Sequence, residues 1–252
     1  MALVETDLDG GVLTVTMVDV DNRNALSSAL VGELVAALDA ADADPAVRVV
    51  VLTNSGRVFC AGADLSERSS VDKPTVKVDA ADLFSRFRRS PKVYVGRIAG
   101  HCVAGGMGLA AAMDLSVAVE DARFGFTEVR RGVAPAMISV LCLPRMRPSD
   151  AAEAMLLGNR MTGADAARLG LVNRAVPADG LDAAVDGFVA DLLAGGPEAL
   201  AATKQLLVRV PGMPIEEAFA WTAELSAELF RSDEAQEGMR AFLEKRSPDW
   251  AG

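Results

Sequence analysis

Histidine occurs once in the 252-residue chain and cysteine three times, and lysine plus arginine number 25 against 35 aspartates and glutamates. Cys60, Cys102 and Cys142 lack metal-type spacing, and an odd, sparse set reads as reduced thiols of a reducing compartment. No His/Cys/Asp/Glu cluster suggests a metal. The shortage of basic residues leaves a net charge of −10. Such a field repels nucleic acid and anionic membrane surfaces, so neither is an expected partner. It equally repels a polyanionic small ligand, which must then be held by local donors. A long unbroken apolar run is also missing. The most apolar stretch, residues 103–119, is interrupted by Gly105, Gly106, Gly108 and Asp114 and reads as core, not as a membrane span. The start, Met1-Ala2-Leu3-Val4-Glu5-Thr6-Asp7, has neither a basic nor an apolar leader segment. The expected location is the cytoplasm.

What is present is ordinary globular composition, 51% hydrophobic and 24% charged, over a length that a single α/β unit can fill. Residues 3–7 and 12–17 alternate apolar and polar across Asp9-Gly10-Gly11, which predicts a hairpin. From Ser27 or Ser28, a good N-cap, Leu30, Leu34, Leu38 and Ala41 recur at helical spacing until Asp44-Pro45. Residues 47–53 and 93–98 are rich in β-branched residues and apolar on both faces, as strands of a covered sheet are. A helix near Val103 and a strand over 115–119 complete an alternation of strand and helix. After Pro148 helices are predicted over 149–157, 163–169, 178–194, 197–210, 215–231 and 233–246, with a strand-like piece at 171–176. The expected organisation is a core over 1–195 and a helical C-terminal module over 196–252.

Three stretches place glycines where strands end and helices begin. They are Phe59-Cys60-Ala61-Gly62-Ala63-Asp64-Leu65, Gly100-His101-Cys102-Val103-Ala104-Gly105-Gly106-Met107-Gly108, and Phe124-Gly125-Phe126-Thr127-Glu128-Val129-Arg130-Arg131-Gly132. Backbone N–H groups at a glycine-rich turn that opens a helix point outward unpaired, and the helix dipole favours negative charge there. Two such turns facing each other can clamp one oxyanion. The same glycines can equally serve only close strand-to-helix packing. On spacing alone both readings stand.

Those segments, taken with Asn24-Ala25-Leu26, Met161-Thr162-Gly163-Ala164-Asp165-Ala166-Ala167-Arg168-Leu169-Gly170-Leu171-Val172 and the ending Glu237-Gly238-Met239-Arg240-Ala241-Phe242-Leu243-Glu244-Lys245-Arg246, resemble the enoyl-CoA hydratase/isomerase (crotonase) superfamily over almost the whole chain. The resemblance implies an α/β crotonase (ClpP-like) fold of repeated ββα units. It also implies a helical C-terminal region that supports trimers, often paired into hexamers. The implied substrate is an acyl-CoA thioester, with coenzyme A entering as part of the substrate and no separate cofactor. The family's oxyanion hole maps onto the backbone N–H groups of Ala63 and Gly105. Its acid/base glutamate maps onto Glu128. The nucleotide end of CoA maps onto the loop carrying Arg23, Ala25 and Leu26 and onto the segment with Ala61, Asp64 and Leu65.

The chain also departs from that pattern. Family hydratases commonly carry a further glutamate three residues after the oxyanion-hole glycine, where this chain has Gly108. Adding water requires a base at one carbon and an acid at the next, whereas shifting a double bond needs one base. The general family pattern makes the expected activity a 2-enoyl-CoA hydratase using Glu128, whereas Gly108 pulls toward an isomerase. The alternatives are a delta3-delta2-enoyl-CoA isomerase using Glu128 alone and a catalytically weak acyl-CoA-binding protein. If the longer side chain fits, a glutamate introduced at 108 raises hydration. Arg131 replaces a usual aliphatic residue and either faces the acyl pocket or lies on the surface. His101 reads as a packed or solvated residue, and Asp64 and Asp114 as groups that cap or orient backbone.

Overall fold

The computed structural model describes residues 2–69 and 80–251. Strands β1 (Val4–Asp9) and β2 (Val12–Met17) form the expected hairpin, turned by Gly10 and Gly11 at φ +53° and +82°. Helix α1 (Ser28–Ala43) follows, capped by the Ser27 hydroxyl on Leu30 N–H and burying Leu30, Leu34, Leu38 and Ala41. The chain then runs through β3 (Val49–Asn54), β4 (Val58–Cys60), α2 (Leu65–Ser69), α3 (Ala80–Arg89), β5 (Val93–Ile98), β6 (His101–Val103) and α4 (Gly105–Ala112). Next come β7 (Leu115–Val119), β8 (Arg123–Gly125), α5 (Ala136–Cys142), α6 (Pro148–Leu157), β9 (Met161–Thr162), α7 (Gly163–Arg168) and β10 (Arg174–Val176). Helices α8 (Leu181–Ala194), α9 (Pro197–Arg209), α10 (Ile215–Leu229) and α11 (Asp233–Glu244) end it.

The strands make two sheets. One has six strands in the order β1-β2-β3-β5-β7-β10, parallel beyond the first hairpin; the other has four, β4-β6-β8-β9. Each pair β3-β4, β5-β6 and β7-β8 sends one strand to each sheet, at neighbouring positions in both. This is the repeated ββα arrangement. In two places the sequence pattern misleads. The helix expected near Val103 begins at Gly105, because residues 101–103 extend into β6 and pair with β4 and β8. The strand-like piece 171–176 is strand only over Arg174–Val176.

The core fills the space around the large sheet, with β3 buried along its whole length. A buried ion pair stands at its edge. Lys204 on α9 is 4% exposed and puts its Nζ 2.8 Å from Asp114 Oδ2 and 2.6 Å from the Lys92 carbonyl. Asp114 also accepts from Tyr94 N–H at 2.8 Å. Burial, the largest influence on each, holds the Asp114 carboxyl above and the Lys204 amine below its usual range. Asp114 thus orients backbone, as expected, and it also binds α9 to the sheet. The tail is fastened separately: Arg48 donates to the carbonyls of Trp250 and Gly195, and Trp250 Nε1–H donates to the Ala194 carbonyl. Among the described residues no helix is long and apolar enough to cross a membrane.

Candidate active site

Strands β4, β6 and β8 are parallel neighbours, so their carboxyl ends open on one edge of the small sheet. Each leads directly into one of the three glycine-bearing segments. Ligands of open α/β sheets gather at such strand ends because turns there leave backbone groups free.

The turns after β4 and β6 interlock. Gly62 stands at φ +90°, and a Cβ there would lie 2.8 Å from both the Ala104 Cβ and the Gly105 nitrogen. Only glycine meets both the conformation and the contact. A Cβ on Gly105 would lie 3.1 Å from the Gly62 Cα and 3.4 Å from the Ala63 nitrogen. The chain enters α4 through Ala104 at φ +51°, a left-handed turn for an alanine, tied at 2.9 Å to the Gly125 carbonyl. Leu26 N–H donates to the Gly62 carbonyl at 2.7 Å and forms a bridge with Ala63. That bridge draws the Arg23-Asn24-Ala25-Leu26 loop onto the same turn. Among the described residues the N–H groups of Ala63 and Gly105 themselves enter no backbone hydrogen bond. The structure therefore brings two free donors side by side at the start of a helix.

Glu128 follows β8 and opens a 3-10 turn, Glu128–Arg131, closed by Gly132 at φ +74°. Its Oε2 is buried without a hydrogen-bond partner among the described residues. Burial holds the carboxyl above the ordinary glutamate range, while its own backbone hydrogen bond and the Arg131 charge act the other way. A carboxylate kept short of partners and water is one whose proton comes and goes nearer neutrality. Its charge reaches the buried Cys142 thiol, which burial pushes up to about 12.

The remaining expected residues fall into two groups. Arg23 is exposed at φ +56°, and its carbonyl accepts from Ala61 N–H at 3.2 Å; Leu65 is 58% exposed, and Ala25 is buried. Asp64 has its carboxylate engaged by Ser66 N–H and hydroxyl at 2.8 and 2.6 Å and by Asn22 Nδ2 at 2.9 Å, which caps α2 and binds the two loops together. His101 accepts from Arg123 N–H at 3.1 Å, and burial holds its pKa down, so it acts as a neutral acceptor between strands. Arg131 lies exposed and donates to the Thr127 hydroxyl and carbonyl at 2.7 and 3.2 Å.

Two neighbours of Gly108 had no signal in the sequence. A Cβ on Gly108 would lie 2.4 Å from Ile138 Cγ2 and 3.2 Å from Phe84 Cζ. The glutamate considered for this position does not fit beside Ile138 as it stands. A cavity of about 490 Å³ elsewhere, between the large sheet and α8, holds none of these residues. Its one arginine, Arg97, is taken up by Asp182 and Thr53.

The repeated ββα fold agrees with what similarity to known proteins shows. The enoyl-CoA hydratase/isomerase family model matches residues 7–252, and the chain belongs to that family. It is 34% identical to enoyl-CoA hydratase EchA19 of Mycobacterium tuberculosis over 99% of both chains. It is 33% identical to 2,3-dehydroadipyl-CoA hydratase of Escherichia coli, over 96% of this chain and 95% of that one. The crystal structure of an enoyl-CoA hydratase from Mycobacterium smegmatis superposes with a TM-score of 0.92 at 33% identity, covering both chains fully. The protein is thus a crotonase-fold enzyme of the hydratase/isomerase type.

Proposed function

We propose that the protein hydrates a 2-enoyl-CoA thioester, with its carbonyl oxygen between the N–H groups of Ala63 and Gly105 and with Glu128 as acid/base. The observation that carries this is the convergence of two free backbone donors and one buried, unpartnered carboxyl oxygen at the ends of three adjacent strands. In the reaction the Glu128 carboxylate takes a proton from water as the water oxygen bonds to C3. The double-bond electrons pass to the thioester oxygen, where the two N–H groups stabilise the enolate. Glu128 then returns the proton to C2, giving a 3-hydroxyacyl-CoA. The nucleotide end lies against the loop with Arg23, Ala25 and Leu26 and the segment with Ala61, Asp64 and Leu65. There Arg23 and backbone donors offset the repulsion of a chain with net charge −10.

One observation favours a second reading. The space beside Gly108 is filled by apolar side chains, which leaves Glu128 as the proton carrier and suits isomerisation of a 3-enoyl-CoA, where it takes a proton from C2 and returns it to C4. Incubation with a 2-enoyl-CoA and, separately, a 3-enoyl-CoA tests both readings by absorbance and mass. Gain of one water marks the hydratase, and conversion of the 3-enoyl to the 2-enoyl form without mass change marks the isomerase. Binding without any turnover contradicts both.

Arg131 gives a pH test. Its positive charge lowers the pKa of Glu128, so removing it raises that pKa further. The base form then appears only at higher pH, and the acid limb of the kcat/KM profile, which reports the free enzyme, moves to higher pH in Arg131→Gln. An unmoved limb, or one at lower pH, contradicts Glu128 as the base.

The assembly that fits this reading is a trimer or a pair of trimers. Helices α10 and α11 leave Phe219, Phe242 and Leu243 70%, 82% and 79% exposed, more apolar surface than one helical tail can hide. A monomer by light scattering at micromolar concentration contradicts it.

A further inference from the structure

The turn that carries Glu128 is loosely bonded within itself. Its backbone bonds, Arg130 N–H to the Thr127 carbonyl, Gly132 N–H to that of Val129 and Val133 N–H to that of Glu128, are all 3.3 Å long, at the weak end for such bonds. Glu128 Oε2 has no partner among the described residues, so the carboxyl stands where its backbone puts it. That backbone is held from outside at two points. Before Glu128, the Gly125 carbonyl accepts from Ala104 N–H at 2.9 Å, which ties the end of β8 to the turn before α4. After it, Arg130 reaches out of the turn to the end of α6. Its Nε–H donates to the Gly158 carbonyl at 2.9 Å, and its Nη2 donates to the Leu157 carbonyl at 3.1 Å and to Asn159 Oδ1 at 2.5 Å. A helix end leaves carbonyls unpaired and partly negative, which suits a cation there. The same stretch packs closely under the turn. A Cβ on Gly158 would lie 2.7 Å from Val129 Cγ2 and 3.2 Å from the Phe126 carbonyl oxygen, and one on Gly125 would lie 3.0 Å from the Asn159 carbonyl oxygen. Arg131, next in the chain, bonds only within its own turn, to Thr127.

We propose that Arg130 is a positioning residue for the Glu128 carboxyl: its three hydrogen bonds to the end of α6 fix a loosely bonded turn, and with it the place of the proton carrier relative to the Ala63 and Gly105 N–H groups. The assignment rests on the Glu128 reading and deepens it. Arg130 itself moves no proton and acts through Glu128 alone.

The experiment compares wild type, Arg130→Met, Arg130→Lys, Glu128→Gln and the Arg130→Met/Glu128→Gln double variant on a 2-enoyl-CoA and a 3-enoyl-CoA. Thermal unfolding and affinity for a non-reacting CoA thioester are recorded for each. Misplacing a catalytic group by about 1 Å can cost about 10²-fold, so kcat of Arg130→Met is expected to fall about 10–10²-fold with thioester affinity unchanged. Lysine keeps the charge but is a single point donor that does not span three acceptors, so Arg130→Lys falls between. In the double variant no proton carrier is left to position, and kcat is expected to equal that of Glu128→Gln. The pH profile separates position from charge. Loss of a positive charge acting on Glu128 moves the acid limb of kcat/KM to higher pH. A loosened turn instead lets water reach the carboxyl and relieves the burial that raises its pKa, so the limb moves to lower pH. A merely structural arginine would lower the unfolding temperature and leave kcat and the limb where they were. Wild-type kcat in folded Arg130→Met, or an acid limb unmoved or at higher pH, overturns the Arg130 assignment and leaves the Glu128 reading standing. Arg130→Lys decides by the same two readouts where the methionine variant does not fold. A double variant slower than Glu128→Gln by the full Arg130→Met factor overturns the assignment as well. Wild-type turnover in Glu128→Gln, or a wild type inert on both substrates, overturns the Glu128 reading itself, and the Arg130 assignment with it.

Discussion

Replacing Glu128 with glutamine is expected to lower kcat on every acyl-CoA substrate by about 10²–10⁴-fold, the usual contribution of a positioned acid/base. The amide keeps the shape of the carboxyl but neither takes nor returns a proton. Its loss cannot be shared with a glutamate at 108, because that position is glycine, packed against Ile138 and Phe84. Affinity for a CoA thioester should change little, since in the proposed site the oxyanion donors are backbone and the nucleotide end lies on other loops. Steady-state kinetics beside calorimetric titration with a non-reacting thioester separate the two effects. Wild-type turnover in the glutamine variant removes both the hydratase and the isomerase mechanism.

The second large effect belongs to Gly105. Proline there deletes one of the two proposed donors, and loss of a single oxyanion-hole donor costs about 10²–10³-fold in kcat. Position 105 is the first residue of α4, where the fixed φ of proline suits a helix and no intrahelical bond is lost. The ring brings atoms to a place where a Cβ already meets the Gly62 Cα at 3.1 Å and Leu26 Cδ1 at 3.3 Å. Gly105→Ala is therefore the control, for it adds the same first carbon and keeps the N–H. A folded proline variant far slower than the alanine variant points to the donor. Equal rates in the two point to crowding alone, and near-normal rates in the folded proline variant exclude Gly105 from the oxyanion hole.

How much of this was legible in the sequence depended on how far each signal reached along the chain. The hairpin, α1, and strands β5 and β7 carry their pattern within themselves, and they stand within a residue or two of where periodicity and caps put them. The small sheet does not. Its strands Val58–Cys60, His101–Val103 and Arg123–Gly125 have three residues each, too few for an alternation to register, and they exist because parallel neighbours pair with them. Helix α5 has only seven residues, too short for its period to stand out in the sequence, although Ile138 and Cys142 stand four apart on its buried face. The glycine turns and Glu128 were visible through family resemblance, and the structure adds that their strands are adjacent and parallel. Ile138 was beyond reach. Its meaning lies in a contact with a glycine 30 residues earlier, and nothing in its own surroundings announces that contact.

The packing of Ile138 on Gly108 also constrains how such an enzyme can evolve. A glutamate arising first at 108 meets a filled space and endangers the fold before it can serve. Trimming the isoleucine first to alanine opens a cavity, at roughly 2–5 kcal/mol for a buried site, a large share of the about 5–15 kcal/mol that holds a typical domain together. Valine is the gentler step, at about 0.5–1.5 kcal/mol, but its branched Cβ retains the methyl group that stands in the way. Neither order offers a path of small, tolerated changes. A carboxylate at 108 and the room to hold it are thus separated by a valley that more than one substitution must cross together.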